Sequence, residues 1–163
     1  MQEDTYCIDA SSLIDLKDLY PSKVFSTLWG NLEELIRNGR LISTREVLRE
    51  LEQGHDELTA WARERRETFL TPTKEEVEVV KKILHSFPQL IDPSKQGRDA
   101  DPFIIALAIV RGSQGLPGIF VSKHIIVTQE SKGNPNKIPR VSSAHNIQCI
   151  NLLELFEKEG WKF

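Results

Sequence analysis

Short, largely apolar strands alternate with amphipathic helices along this chain, and this pattern constrains its fold more than any other feature. The clearest strands are Thr5–Ile8, Ile125–Thr128 and Ile147–Ile150. A strand without regular polar alternation is covered on both faces, which is typical of a parallel sheet enclosed by helices. The sequence therefore predicts an α/β fold, a three-layer α/β/α sandwich with a short, mostly parallel sheet.

The chain has 163 residues, and its length and composition favour one domain over residues 1–163. Its longest apolar run, Pro102–Val110, is far shorter than the ~20 residues that span a bilayer, so we expect no membrane segment. Acidic and polar residues (Gln2, Glu3 and Asp4) stand where a signal peptide carries basic ones, which favours the cytoplasm. The two cysteines lie in apolar runs rather than in a CxxC pair, so we interpret them as buried thiols.

Four acidic residues lie near the ends of predicted strands or beside predicted helices. Asp9 ends the first strand, Glu130 follows the Ile125 strand, Asp101 begins an apolar helix, and Glu50 lies on a short helix. Ligands of α/β sheets bind where the strands end, so these carboxylates can converge there. Grouped carboxylates repel one another unless protons or a hard cation such as Mg²⁺ or Mn²⁺ neutralise them.

Each of these acids also has a structural interpretation. Asp101 precedes Pro102, and an Asp–Pro pair is a common helix start in which Asp is the N-cap. Glu50 has other glutamates nearby and on its own is typical of a solvated helix surface. A functional role is the favoured interpretation of Asp9, because burying an uncompensated acid at the end of a strand costs free energy. The set is therefore more informative than any single member.

Four segments in chain order carry a resemblance to a known family. They are Tyr6–Ile14, Glu50–Gly54, Asp101–Ala108 and Val127–Glu130, followed by the closing strand and helix Cys149–Glu154. The first has an apolar strand, an Asp, a Ser two positions later and then Leu-Ile. In these motifs and their order, nearly the whole chain resembles the PIN-domain nucleases, which implies a PIN-like sandwich.

The resemblance implies that Asp9, Glu50, Asp101 and Glu130 are the catalytic residues and hold Mg²⁺ or Mn²⁺. Asp99, two residues before Asp101, is a further candidate ligand. The fourth position of the family is commonly Asp or Asn, so Glu130 departs from the pattern and reaches farther.

By the same resemblance, Ser11 and Thr128 orient the carboxylates or a water molecule through hydrogen bonds. A basic segment surrounds the fourth position: residues 111–145 carry five Lys or Arg and one acid, a local charge of +4. Such a segment can attract phosphate, with Lys132, Lys137 and Arg140 as candidate nucleic-acid contacts. The alternative is a solvated loop without a binding role.

The resulting hypothesis is a divalent-metal-dependent endoribonuclease, similar to the toxin of a toxin–antitoxin pair. It implies an RNA substrate, an antitoxin protein as partner, and a homodimer as a further expectation. The alternative is a catalytically weak PIN-like module that binds RNA or a protein. A receiver or phosphatase of similar architecture is disfavoured, because Ala10 and Ser11 supply no second acid beside Asp9.

Overall fold

A computed structural model describes residues 3–91, 99–113, 123–134 and 137–163 of the chain. Its strands are β1 (Thr5–Ile8), β2 (Leu41–Thr44), β3 (Phe69–Leu70), β4 (His124–Val127) and β5 (Cys149–Ile150). The helices are α1 (Ala10–Leu19), α2 (Ser26–Arg37), α3 (Arg45–Glu52), α4 (Glu57–Glu64), α5 (Lys74–Ser86), α6 (Asp101–Ser113), α7 (Ile138–Ala144) and α8 (Leu152–Lys158). Two short 3-10 turns lie at Arg66–Thr68 and Pro88–Leu90.

The five strands form one sheet in the order β3-β2-β1-β4-β5. Every neighbouring pair is parallel, with Tyr6 opposite both Leu41 and Ile125. The chain builds outward from β1 through β2 and β3, then returns to the other side of β1 for β4 and β5. The strand order reverses between β1 and β4, and in sheets of this kind such a point opens a crevice at the carboxyl ends of the strands.

Helix α6 is the centre of one helical layer. It contacts β1, β2 and β4, with α5 and α7 packed beside it. Most of its apolar side chains, among them Ile104, Ile105 and Leu107, are fully buried, whereas Phe103 and Ile109 are partly exposed. Helices α1, α3 and α4 contact one another, and α3 also contacts β2 and β3. The predicted three-layer α/β/α sandwich is confirmed, and all strand pairs in the described residues are parallel.

Two strands are joined to the following helices without an intervening loop. Helix α1 begins immediately after Asp9, so β1 joins α1 without a loop. Helix α3 begins just as abruptly after β2, and Ser43 donates to the carbonyl of Ile8 (2.6 Å) instead of capping α3. These direct junctions hold Asp9 and α3 close to the edge of the sheet.

No helix in the described ranges is long and apolar enough to cross a bilayer.

Candidate active site

Asp9 lies at the junction of β1 and α1 and is almost completely buried, with 3% of its surface exposed. It is the N-cap of α1, and its Oδ1 accepts a hydrogen bond from the backbone N–H of Ser12 (2.9 Å). The Thr128 hydroxyl donates to Oδ2 (2.6 Å), and the Ser11 hydroxyl lies 2.9 Å from each carboxylate oxygen. Ser11 and Thr128 therefore hold the Asp9 carboxylate in one orientation between β1 and β4.

Burial and hydrogen bonding act on Asp9 in opposite directions. Burial raises the pKa of its carboxyl group, whereas the hydrogen bonds from Thr128, Ser12 and Ser11 lower it. Burial is the larger effect, and the pKa of Asp9 is about 6 instead of 3.8. The hydrogen-bond donors therefore offset part of the free-energy cost of burying the Asp9 carboxylate, but not all of it.

The helix-cap interpretation of Asp101 is wrong. Asp101 is the first residue of α6 instead of its N-cap, and its backbone N–H donates to Oδ1 of Asp99 (3.1 Å). Glu50 of α3 accepts from the backbone N–H of Ala100 (2.9 Å). Two acids from outside the helix thus satisfy amides at the start of α6, where unpaired N–H groups favour negative charge.

The Asp101 carboxyl group interacts electrostatically with the carboxylates of the other four acids. Burial is the largest cause of its raised pKa, which is about 9 instead of 3.8. Repulsion from other carboxylates adds to that shift, in decreasing order from the residues Glu130, Asp99, Asp9 and Glu50. No side chain or amide of the described residues donates a hydrogen bond to the Asp101 carboxylate. The five acids named from the sequence therefore form one interacting group, here called the carboxylate cluster.

Glu130 joins the cluster from beyond β4. Its backbone N–H donates to the Thr128 hydroxyl (3.1 Å), and its side-chain Oε2 accepts from the backbone N–H of Ile138 (3.3 Å). Ile138 is the first residue of α7, so Glu130 connects the cluster to a helix that sequence reasoning assigned to a loop. Lys, Pro, Asn and Gly are frequent around this segment, and this composition is typical of a loop, so the short helix was not predicted.

The three basic residues proposed for nucleic acid lie on the Glu130 side of the cluster. Lys132 is largely exposed and lies 3.4 Å from Glu154. Lys137 precedes α7 directly, and Arg140 is exposed on that helix. The sequence between Lys132 and Lys137 includes residues 135 and 136, which lie outside the described part of the chain, as do residues 114–122 of the basic segment.

In the described ranges, no three His, Cys, Asp or Glu side chains are arranged so that they could hold a metal ion together. The donor chemistry of the carboxylate cluster still fits a hard divalent cation, because carboxylate oxygens are its preferred ligands. The raised pKa of Asp101 agrees with this, since repulsion from neighbouring carboxylates is what a bound cation offsets.

Gln129 is a site residue that sequence reasoning missed. Its backbone N–H donates to the Ser11 hydroxyl (3.1 Å) and its side-chain amide donates to Asp15 (3.1 Å). Its side-chain oxygen accepts from the backbone N–H of Leu152 (2.8 Å), so Gln129 ties α1 to the start of α8. In the sequence, only its position between Thr128 and Glu130 indicated a role in the site, because its hydrogen-bond partners are distant along the chain.

A larger cleft, of about 460 Å³, lies away from the carboxylate cluster. Trp29 and Trp61 meet edge to face there, and the Arg65 guanidinium stacks over Trp61 and pairs with Glu33. None of the five acids lines this cleft. Its size alone does not make it the active site, because Arg65 in its wall is already paired with Glu33 and Glu64.

Comparisons with known proteins give a family and distant structural likenesses, including one to a crystal structure. The crystal structure of PAE2754 from Pyrobaculum aerophilum is 15% identical over 95% of this chain and 88% of that chain, with a TM-score of 0.44. No curated protein matches the chain. The profile of DUF4411, described as a domain of unknown function, matches residues 6–163. Because this match covers nearly the whole sequence, the chain belongs to the DUF4411 family.

Proposed function

We propose that this protein is a divalent-metal-dependent endoribonuclease that hydrolyses RNA phosphodiesters. The observation that carries the proposal is the Asp101 carboxyl group, whose pKa is raised to about 9 by burial and by four neighbouring carboxylates. A structural role gives no reason to place a fifth acid, without a hydrogen-bond donor from the described residues, among four others. A site that binds a cation does, because the cation offsets the mutual repulsion.

The motif order supports the same function. Asp9, Glu50, Asp101 and Glu130 occur in the order found in the PIN-domain nucleases that the sequence resembles. Oxygen ligands of this kind suit Mg²⁺ or Mn²⁺, and Asp99 is the additional candidate ligand. An RNA substrate also agrees with the cytoplasmic location expected from the sequence.

The residues of the site have separable tasks in the proposed reaction. A bound divalent cation supplies an activated water and stabilises negative charge on the phosphate. Asp9 is held rigidly by Ser11 and Thr128, which suits a group that must keep one orientation. Glu50 is fixed by its bond to the start of α6, and Glu130 by its bond to the start of α7. Hydrolysis then adds water to phosphorus, breaks one P–O ester bond and transfers a proton to the leaving oxygen.

Purified protein tests this function directly. Incubation of single-stranded RNA with Mg²⁺ or Mn²⁺ is expected to give cleavage that stops in EDTA. Asp9→Asn and Asp101→Asn should each lower the rate at least ~100-fold, because each removes a charge that holds the cation. The matched control is Asp18→Asn, which changes an exposed acid of α1. Equal cleavage by wild type and both site variants would contradict the assignment.

A toxin role is a narrower part of the proposal, with an antitoxin protein as partner and a homodimer as the expected assembly. Expression of the wild-type chain should then arrest growth, whereas Asp101→Asn should be tolerated at the same protein level. Relief of that arrest by a co-expressed neighbouring gene product would identify the antitoxin. Equal growth with both chains would contradict the toxin role while leaving the nuclease test independent.

The second candidate is a catalytically weak module that binds RNA or a protein. One observation favours it: Asp9, Glu50, Asp99 and Glu130 each accept a backbone hydrogen bond at a helix start. Acids with such structural roles can persist without catalysis. RNA binding that is unaffected by EDTA, together with no cleavage by wild type, would support this function over the nuclease.

A further inference from the structure

A second cleft lies directly beside the carboxylate cluster, at the carboxyl ends of β4 and β5. Its volume is about 310 Å³, at the lower end of the range for small-ligand sites. It reaches from the end of β4 to the start of α8 and is bordered by α7. Its principal lining residues are Thr128, Glu130, Lys132, Pro139, Cys149 and Asn151.

This cleft shares Glu130 with the carboxylate cluster and is connected to Asp9 through Thr128. Glu130 contributes to the repulsion that raises the pKa of Asp101, and it also lines the cleft. Thr128 donates to Asp9 and lines the cleft as well. A phosphodiester at the cluster therefore has its neighbouring nucleotide next to this opening.

The walls of the cleft combine the groups that a nucleotide needs. Pro139 and Ile150 are buried and contribute only a small apolar part of the lining, so the wall of the cleft is mainly polar. Lys132 supplies a largely exposed ammonium group for phosphate. Asn151 uses its side-chain oxygen to cap α8, which leaves its amide nitrogen as a donor. Glu130 supplies a carboxylate that can accept from a sugar hydroxyl.

From these contacts we infer that the cleft is a nucleotide subsite, which receives the base and ribose next to the scissile phosphate while Lys132 contacts a phosphate. The inference rests on the proposed function, because it takes the carboxylate cluster as the place of the scissile phosphate. It identifies the ligand as a ribonucleoside phosphate. It also gives Lys132 a role in binding that is distinct from the role of the carboxylate cluster.

Cys149 provides a probe of the cleft that does not depend on catalysis. It is partly buried in the cleft wall, whereas Cys7 is fully buried in β1 and serves as an internal reference. Wild-type protein in EDTA is treated with iodoacetamide, with or without uridine or adenosine monophosphate carrying the phosphate at either the 3′ or 5′ position. Mass spectrometry then reports the alkylation rate of each thiol.

A nucleoside monophosphate is expected to slow alkylation of Cys149 at least severalfold, while inorganic phosphate at equal concentration does not. Lys132→Glu should raise the concentration needed for half-protection about tenfold, as expected for a lost charge-assisted contact. Lys82→Glu makes the same charge change at an exposed position of α5 and should leave protection unchanged.

The outcomes separate this inference from the proposed function. Protection by a nucleotide with loss in Lys132→Glu supports the subsite, even if the wild-type protein cleaves no RNA. Equal protection by inorganic phosphate, or none by any nucleotide, overturns it. Metal-dependent RNA cleavage that Lys132→Glu leaves unchanged in KM also overturns the subsite, while the nuclease function stands.

Discussion

Burial raises the pKa of both Asp9 and Asp101, but the neighbouring groups stabilise the charged form of only one of them. Asp9 accepts hydrogen bonds from Ser11, Ser12 and Thr128, and its pKa rises only to about 6. Asp101 receives none from the described residues and faces other carboxylates, and its pKa rises to about 9. Donors thus make Asp9 a stable carboxylate near neutral pH, whereas the raised pKa of Asp101 favours its protonated form there.

The first prediction concerns Thr128→Val, which keeps the shape of the side chain and removes its hydroxyl. It should lower the free energy of unfolding by about 1–3 kcal/mol near neutral pH, because the ionised Asp9 loses a donor. The loss should be smaller in mildly acidic solution, where Asp9 is protonated. Urea denaturation at the two pH values measures both losses, and equal losses would argue against a charge-assisted bond.

The second prediction is a pH dependence of stability set by Asp101. Its pKa is about 9 in the folded chain against 3.8 ordinarily, so the folded state binds more protons between those values. The free energy of unfolding therefore falls as pH rises through that window. Asp101→Asn should remove most of this slope and, at mildly alkaline pH, stabilise the protein by at least ~1.4 kcal/mol, the equivalent of one pKa unit.

Urea denaturation in EDTA across this pH range provides the measurement. Asp18→Asn is the control, since Asp18 is exposed on α1 and pairs with Lys17. It should reproduce the wild-type slope. Asp9 also contributes a slope, but only below its pKa of about 6. A slope that survives above about pH 6 in Asp101→Asn would show that another group is responsible.

At the scale of elements, the start of α6 brings three parts of the chain together. Glu50 from α3 accepts the N–H of Ala100, and Asp99 accepts the N–H of Asp101. Helix α6 lies across β1, β2 and β4, so fixing its first turn also fixes the distance between Asp101 and the ends of those strands.

The third prediction separates the two roles of Glu50. Glu50→Ala removes the acceptor for Ala100 and should cost about 0.5–2 kcal/mol of stability, as for the loss of a helix cap. Glu50→Gln keeps an acceptor oxygen and should cost much less, yet it removes the charge needed to bind a cation. Thermal unfolding and RNA cleavage measured together test this: full activity in Glu50→Gln would leave Glu50 only its structural role.

At the scale of the whole molecule, charge is divided unevenly. The net charge is −3, but residues 111–145 carry +4 and the rest of the chain −7. The carboxylate cluster lies beside part of this basic segment, because Glu130 belongs to both. A cation at the cluster would complete a surface that attracts phosphate.

The fourth prediction is that Mg²⁺ or Mn²⁺ stabilises the whole chain. A ligand that binds only the folded state at 100 times its Kd adds about 2.7 kcal/mol, equivalent to roughly 5–10 °C in Tm for a protein of this size. Asp101→Asn should lose most of that shift, while Asp18→Asn should retain it. Equal shifts in wild type and Asp101→Asn would place the cation elsewhere.

The sequence alone determined the architecture and several helix starts. The apolar strands β1 and β4 and the capping boxes at Thr73 and Asn151 were readable, because each depends on neighbouring residues. β3 was missed, since its two residues are too few to show a strand period. Asp101, interpreted as a possible N-cap of α6, is instead its first residue, a difference of one position.

Which acids meet was decided only by the tertiary structure. The sequence named Asp9, Glu50, Asp99, Asp101 and Glu130, but it contained no measure of their separation or burial. Parallel strands bring the ends of β1 and β4 together, and α6 carries Asp101 to the same edge. Hydrogen bonding and burial are set by these distant contacts. The difference between Asp9, which has several donors, and Asp101, which receives none from the described residues, therefore exists only in the folded chain.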